Sequence, residues 1–115
     1  MKVAVVGSRG FDDYPLLKET LSNHQITRII SGGARGADSL AEQFAREHNI
    51  QTDIYRPDWK SYGRAAGPKR NRTIVENSDK IIAFWDGESK GTKSSIDLAK
   101  KLGKEVIVIR YRKAS

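Results

Sequence analysis

The chain has 115 residues, of which 37% are hydrophobic, and it carries a formal net charge of +7. This length is typical of one domain, and we expect a single domain over residues 1–115. The hydrophobic share is too high for a disordered chain. The absence of cysteine excludes disulfides and thiolate catalysis. The positive charge favours an anionic partner such as a nucleotide, a nucleic acid or a phosphorylated metabolite.

The apolar runs of the sequence are too short for a signal-peptide core or for the ~20 residues of a membrane-spanning helix. We therefore expect a cytoplasmic protein with no membrane partner. The two histidines, His24 and His48, lie apart in the sequence. Without a cluster of histidine and cysteine we expect no metal site.

Five short runs rich in β-branched residues predict five strands. The first, fourth and fifth runs are almost continuously apolar, as expected for strands that are covered on both faces. The predicted strands are Lys2–Val6, Thr27–Ile30, Gln51–Tyr55, Lys80–Trp85 and Glu105–Ile109.

Helical patterns alternate with these strands. We expect Asp13 to cap the first helix and Gly103 to end the last. Strands that alternate with helices predict an α/β fold, with one doubly wound domain, a five-stranded, mainly parallel sheet and helices on both faces. The predicted helices are Tyr14–Asn23, Ala37–His48, Pro68–Ser78 and Lys93–Leu102.

The segments that follow the strands are candidate binding loops, because ligands of open parallel sheets bind beyond the carboxyl ends of the strands. Three of these segments combine glycine with basic or hydroxyl side chains: Gly7–Phe11, Ser31–Gly36 and Asp86–Thr92. The segment after the third strand, Arg56–Gly67, is predicted to be a long irregular loop. A loop of that length in a small domain is usually functional.

The stretch SGGARGAD, Ser31–Asp38, has three glycines in five positions. Glycine lets backbone N–H groups approach an anion closely, and the N-terminus of the following helix adds a partial positive charge. Arg35 can add a bidentate phosphate contact. The alternative is a tight strand-to-helix turn that needs positive φ. Because three such loops share one edge, we favour a site for a phosphate or a ribose phosphate.

Two common nucleotide-binding fingerprints do not fit. The spacing of Gly7 and Gly10 does not match GxGxxG, and no acidic residue ends the second strand, so an NAD-dependent dehydrogenase is disfavoured. The stretch that begins at Gly87 resembles a Walker A loop, but Thr92 separates Gly91 from Lys93, where the motif needs lysine directly after glycine. We expect no cofactor.

Polar side chains continue the apolar stripe of the third predicted helix toward the carboxyl ends of the strands, where the candidate binding loops lie. Extending the stripe back from Ile74 and Val75 brings Arg70 and Asn71 into the first turn. Side chains that are aimed inward there need partners once water is removed. We favour a ligand contact for Arg70 over a salt bridge. For Asn71, a ligand contact and the capping of a neighbouring loop remain open.

Three further side chains have two interpretations each. Asp38 can bind ribose hydroxyls, or it can cap the second helix with Ser39–Glu42 as an overlapping capping box. Trp59 and Tyr62 can stack on a base, or they can hold their loop against the domain. The candidate ligand-binding residues are Gly7, Ser8, Arg9, Gly32, Gly33, Ala34, Arg35, Gly36, Asp38, Trp59, Arg70, Asn71, Gly91 and Thr92.

Four motifs occur in order along most of the chain: GSRGF (Gly7–Phe11), SGGARGAD (Ser31–Asp38), DWKSYGRAAGPKRNR (Asp58–Arg72) and KGT (Lys90–Thr92). Together they resemble the SLOG superfamily, named for the Smf/DNA-processing-A and Lonely Guy proteins, and in particular its YspA-like branch. The resemblance implies a Rossmann-like domain that binds a nucleotide or a nucleotide-derived ligand. It also favours a homodimer.

The enzyme branch of this superfamily, the Lonely Guy proteins, cleaves the N-glycosidic bond of nucleoside monophosphates. It uses an arginine in the third helix and a glutamate three residues after a Gly-Thr pair. The resemblance places Arg70 at the arginine and Gly91-Thr92 at the pair, but Ser95 at the glutamate. A hydroxyl cannot replace a carboxylate that stabilises a developing oxocarbenium ion.

We therefore expect a binding protein, acting as a sensor, a carrier or a sequestering module, and we assign no catalytic residue. One alternative is a nucleoside-monophosphate N-glycosidase with an unidentified carboxylate, Asp38 being the first choice. Another alternative is nucleic-acid binding through a basic surface, which the resemblance to the DNA-processing branch permits. The base and the number of phosphates remain open.

Overall fold

A single five-stranded sheet forms the centre of the computed structural model, which describes residues 1–112. The strands lie in the order β3-β2-β1-β4-β5, and every neighbouring pair is parallel. The predicted α/β fold is confirmed, and the sheet, predicted to be mainly parallel, is parallel throughout. The strands are β1 (Lys2–Gly7), β2 (Arg28–Ser31), β3 (Gln51–Ile54), β4 (Lys80–Trp85) and β5 (Glu105–Arg110).

Five helices connect these strands, and a short 3-10 turn at Gly63–Ala65 joins the third helix to the fourth. No helix within residues 1–112 is long and apolar enough to cross a membrane. The helices are α1 (Tyr14–Ser22), α2 (Ala37–Glu47), α3 (Trp59–Tyr62), α4 (Ala66–Glu76) and α5 (Lys90–Lys101).

Side chains alternate across β1, so the sheet buries one hydrophobic cluster on each face. Val3 and Val5 pack in the cluster that α1 and α2 cover. Ala4 and Val6 pack in the cluster that α4 and α5 cover. Helices therefore cover both faces, as the almost continuous apolar runs predicted.

Three helix starts differ from the sequence prediction, and one of them is that of α4, which begins at Ala66 rather than Pro68. The segment Arg56–Gly67 is not a long irregular loop, because the Asp58 carboxylate accepts a hydrogen bond from the Ser61 N–H at 3.1 Å and caps α3. The last helix, α5, begins at Lys90 rather than Lys93, since Ser89 is its N-cap. The first helix follows the prediction, with the Asp13 carboxylate accepting from the Leu16 N–H at 3.1 Å.

The chain reverses its direction across the sheet beside β1. It passes from β1 outward to β2 and β3, then returns through α4 to β4 on the other side of β1. The crevice at the carboxyl ends of β1 and β4 is therefore the topological switch point, where open α/β sheets place their ligands.

Candidate functional site

A cleft of about 600 Å³ opens at this switch point, and we call it the sheet-edge cleft. Its walls come from the segments after β1 and β4, from the start of α2, from the middle of α4 and from the first two turns of α5. Most of the predicted ligand-binding residues line it. These are Gly7, Ser8, Arg9, Ala34, Asp38, Arg70, Asn71, Gly91 and Thr92.

Hydrogen bonds join the segment at the end of β1 (Gly7–Phe11, the β1 segment) to β4 and to the segment that follows it (Asp86–Thr92, the β4 segment) at the floor of the cleft. The Ser8 N–H donates to the Phe84 carbonyl oxygen at 3.2 Å. The Asp86 N–H donates to the Ser8 hydroxyl oxygen at 3.4 Å. Ser8 is buried by these contacts, whereas the next residue, Arg9, is exposed and lines the cleft. The serine thus fixes the backbone that presents the arginine.

The glycine-rich β2–α2 loop holds a carboxylate of the chain itself. The N–H groups of Gly32 and Ala34 both donate to Oδ2 of Asp38, each at 3.2 Å. The Gly33 N–H donates to the Ser31 hydroxyl at 3.1 Å. From the sequence we expected these amides to face a ligand phosphate. In the structure Asp38, in the first turn of α2, already occupies two of them.

Asp38 is not the N-cap of α2, contrary to one of its two predicted interpretations. The cap is Gly36, which has φ 78° and contributes no side-chain hydrogen bond. The expected capping box of Ser39 and Glu42 is absent as well, since Glu42 instead accepts a hydrogen bond from the Ser31 hydroxyl at 2.9 Å. With one carboxylate oxygen already bonded to the loop, Asp38 retains the capacity to accept further hydrogen bonds.

The glycines of this loop make room for two arginines. A Cβ on Gly32 would overlap the guanidinium of Arg70, and a Cβ on Gly33 would lie 2.7 Å from Nη1 of Arg56. Arg70 donates from Nη1 to the Gly32 carbonyl oxygen at 2.8 Å, and Arg56 donates from Nη1 to the Gly33 carbonyl oxygen at 3.2 Å. At Gly32 and Gly33 the absence of a side chain therefore lets guanidinium groups of the protein itself contact the loop.

Arg70 lies half-buried between the β2–α2 loop and the cleft. Its Nε donates to Oδ1 of Asn71 at 2.8 Å, so Asn71 orients the guanidinium rather than capping another loop. Burial lowers the pKa of Arg70, the charge of Asp38 opposes that shift, and the charge of Arg9 adds to it. Arg9 and Arg70 are therefore close enough for their charges to interact.

The same environment acts on Asp38. Burial raises the pKa of this carboxyl above its ordinary value. The hydrogen bond from the Ala34 N–H and the charge of Arg70 lower the pKa and so partly offset that shift. Asp38 and Arg70 thus form an electrostatically coupled pair on either side of Gly32.

The N-terminus of α5 forms the wall after β4. The Ser89 hydroxyl accepts from the Thr92 N–H at 3.4 Å and lies 3.0 Å from the Thr92 hydroxyl. Oδ1 of Asp86 accepts from the N–H groups of Glu88 and Ser89, each at 2.8 Å. Gly91 and Thr92 therefore lie in the first turn of a capped helix rather than in a loop.

This wall includes three residues of the predicted binding loop Asp86–Thr92 that were not singled out as ligand contacts. Asp86, Glu88 and Ser89 line the cleft but were not among the candidate residues. Serine before a helix is a capping signal, and it would have placed the start of α5 directly after Ser89. Ser95, the residue that the resemblance placed at the hydrolase glutamate, also lines the cleft. Its hydroxyl donates to the Gly91 carbonyl oxygen at 3.3 Å.

Several candidate residues lie outside the cleft. Gly32 and Gly33 lie against the two arginines described above, and Arg35 is exposed beside them. Gly36 packs against the backbone of the β1 segment, where its Cβ would lie 2.7 Å from the Arg9 carbonyl oxygen. Trp59, on α3, is 55% exposed.

Comparison with known proteins identifies the family. The model described as "YspA, cpYpsA-related SLOG family" matches residues 1–62, which include the β1 segment and the glycine-rich loop. The chain belongs to this SLOG family. It is also 32% identical over 118 residues to the "Gene 61 protein" of Mycobacterium phage D29, across 92% of this chain and 94% of that protein.

Two solved structures share the fold of this SLOG-family chain. DNA processing protein A (DprA) from Streptococcus pneumoniae superposes with a TM-score of 0.80 at 22% identity, over 96% of this chain. DprA from Helicobacter pylori superposes with a TM-score of 0.70 at 26% identity, over 97% of this chain. The chain spans 50% of the first protein's length and 66% of the second's.

Proposed function

We propose that the sheet-edge cleft binds a nucleotide or a nucleotide-derived ligand. The observation that carries this proposal is the pair of arginines, Arg9 and Arg70, which face one cleft from different elements. Within residues 1–112 neither forms a salt bridge with a carboxylate, although the charge of Asp38 acts on Arg70 from the other side of Gly32. An anion placed between them would relieve the repulsion of the two charges, and phosphate is a group that guanidinium binds well.

The rest of the lining supports a phosphate that is attached to a larger polar group. The hydroxyls of Ser89 and Thr92 lie at the N-terminus of α5, whose partial positive charge favours an anion. The carboxylates of Asp86 and Glu88 would repel phosphate, but they accept hydrogen bonds from sugar hydroxyls and base amino groups. This mixture of groups fits a nucleotide better than it fits a simple anion.

The residues of the cleft favour binding of the ligand without catalysis. Ser95 lines the cleft where the hydrolase branch carries a glutamate. The other carboxylates of the cleft belong to Asp38, Asp86 and Glu88, so position 95 itself lacks the fixed negative charge by which the hydrolase branch stabilises an oxocarbenium-like transition state. The chain would therefore act as a sensor, a carrier or a sequestering module.

A thermal-shift screen across nucleoside monophosphates, dinucleotides, cyclic nucleotides and ADP-ribose derivatives tests the proposal. A ligand present at 100 times its dissociation constant stabilises the folded state by about 2.7 kcal/mol. At the same ligand concentration Arg70→Ala should reduce the shift to about half or less, whereas Arg46→Ala, at an exposed position in the last turn of α2, should preserve it. A shift that both variants retain equally would contradict the assignment of the cleft.

The second candidate function is binding of single-stranded nucleic acid. It is favoured by the net charge of +7 and by the fold shared with Helicobacter pylori DprA, whose structure describes a single-stranded DNA binding mode. Salt distinguishes the two functions. Affinity for a single strand falls steeply between 50 and 200 mM salt, by about 300-fold for six phosphate contacts, whereas a pocket for one phosphate loses little.

A further inference from the structure

A second groove adjoins the sheet-edge cleft, and we call it the outer groove. It has a volume of about 400 Å³ and lies between the end of β3, α3 and the outer side of α4. Arg70 lines both cavities, so one side chain forms the wall between them. The outer groove is lined mainly by Tyr55, Arg56, Tyr62, Lys69, Arg70 and Arg72.

The outer groove is positively charged. Two carboxylates line it, and both have partners: Asp58 accepts from the Ser61 N–H, and Glu76 pairs with Nε of Arg72 at 3.3 Å. Arg56 and Lys69 form no ion pair with a carboxylate within residues 1–112. The groove therefore has an excess of cations that would favour an anionic occupant.

The outer groove also presents an aromatic surface. Tyr62 is 53% exposed, and the ammonium of Lys69 lies 4.8 Å from the centre of its ring. An accessible tyrosine ring with cations around it is the arrangement by which proteins hold a base and its neighbouring phosphate. An acidic peptide would use the cations but not the flat aromatic face, so the chemistry favours a nucleotide unit.

We propose that the complete ligand carries two nucleotide units joined through phosphate, one in the sheet-edge cleft and one in the outer groove. This inference rests on the proposed function of the cleft and adds the class of ligand. The second base stacks on Tyr62, and Lys69 and Arg56 contact the phosphate between the units. Arg70 lies between the two halves, where it can contact that phosphate from the cleft side. A free dinucleotide and two consecutive nucleotides of a single strand share this chemistry.

Isothermal titration calorimetry with two matched sets of probes tests the inference. The first set is AMP, GMP, CMP and UMP, and the second is the dinucleotides pApA, pGpG, pCpC and pUpU. For at least one base, the affinity for the dinucleotide should be at least about tenfold higher than the affinity for the mononucleotide. One base–aromatic stack provides a gain of this size. In Tyr62→Ala the affinity for the dinucleotide should fall to within about twofold of the affinity for the mononucleotide. In Tyr62→Phe the dinucleotide should keep its higher affinity.

The outcomes separate the two proposals. The proposal of a two-unit ligand is wrong if a mononucleotide binds and its dinucleotide binds no more tightly, or if Tyr62→Ala leaves the higher affinity for the dinucleotide intact. Either result leaves the proposal of nucleotide binding in the sheet-edge cleft in place. If neither set binds, both proposals are wrong. Lys69→Ala should weaken only the dinucleotide, and Lys100→Ala, on the exposed side of α5, should weaken neither. A ten-nucleotide strand of the same base that binds more tightly than the dinucleotide identifies a single strand as the source, and equal affinity identifies the free dinucleotide.

Discussion

Arg70 on α4 donates from Nη1 to the carbonyl oxygen of Gly32 in the β2–α2 loop, at 2.8 Å. This hydrogen bond joins the two elements that carry the clearest family motifs, and it aims the guanidinium at the sheet-edge cleft. A guanidinium has more N–H donors than this bond and the bond to Asn71 use, so Arg70 can also contact a phosphate. The function of Arg70 therefore depends on the absence of a side chain at Gly32.

We expect Gly32→Ala to weaken nucleotide binding through Arg70. The new methyl group would overlap the guanidinium, which must then move. Arg70→Ala should cost on the order of 1.5–3 kcal/mol of binding free energy, the range for hydrogen bonds to charged groups. In a double-mutant cycle by calorimetry, the double variant should bind about as weakly as Arg70→Ala alone. Additive losses would mean that Gly32 acts independently of Arg70.

We expect Gly36→Ala to destabilise the fold more than Gly63→Ala. The two glycines have similar backbone angles, with φ 78° and ψ −128° at Gly36 and φ 53° and ψ −129° at Gly63. A Cβ at Gly63 meets no atom within 4 Å, whereas a Cβ at Gly36 would overlap the carbonyl oxygen of Ser8. Both variants carry backbone strain of roughly 1–3 kcal/mol, and Gly36→Ala adds the steric clash. Urea unfolding measures the difference, and equal losses would show that the β1 segment yields to the added methyl group.

We expect Asp38 to make the stability of the protein depend on pH. Burial raises its folded-state pKa, so the folded protein binds this proton more tightly than the unfolded chain does. The stability that protonated Asp38 contributes is therefore present at low pH and is lost as the pH rises through the folded pKa. Asp38→Asn mimics the protonated form.

The stability of Asp38→Asn should therefore exceed that of the natural protein by the largest amount at neutral pH, where stability is the free energy of unfolding. That advantage should shrink as the pH falls through the folded pKa of Asp38. Urea unfolding of both proteins across a pH series measures it. An advantage that grows toward acid would mean that the pKa of Asp38 is lowered on folding.

We expect no release of free base when the natural protein is incubated with nucleoside monophosphates. Ser95 lies in the cleft without the carboxylate that the reaction needs. Ser95→Glu places a carboxylate in the cleft beside Gly91 and Thr92, and it should give weak base release that Arg70→Ala abolishes. Chromatography detects the base. Base release by the natural protein that is lost in Arg70→Ala would make the chain an enzyme.

Local patterns were sufficient to predict most of the fold. The run KVAVV defines β1, and the stripe of Ile74 and Val75, extended back, led to Arg70 and Asn71, which line the cleft from the second turn of α4 rather than the predicted first turn. Helix α3 was missed because four residues are too few to show a helical period. The start of α5 was placed too late because Gly91 is a poor helix former, and its low propensity concealed the cap at Ser89.

The contacts within the site were harder to predict. The sequence shows that the β2–α2 loop needs glycine, but it does not show which group approaches the loop. Arg56 and Arg70 come from segments more than twenty residues away, and Asp38 folds back from the helix onto the amides of Gly32 and Ala34. Such contacts depend on tertiary packing, which motif spacing does not encode.

The most direct test of the central claim is a ¹H–¹⁵N correlation NMR titration of the protein with AMP, GMP, CMP and UMP in turn. The account predicts that at least one of them shifts the backbone amides of Ser8, Arg9, Gly91 and Thr92 together, and that Arg70→Ala moves the midpoint of the titration to at least about tenfold higher nucleotide concentration. The claim is contradicted if none of the four shifts these amides, or if the shifts lie on surfaces away from the sheet-edge cleft.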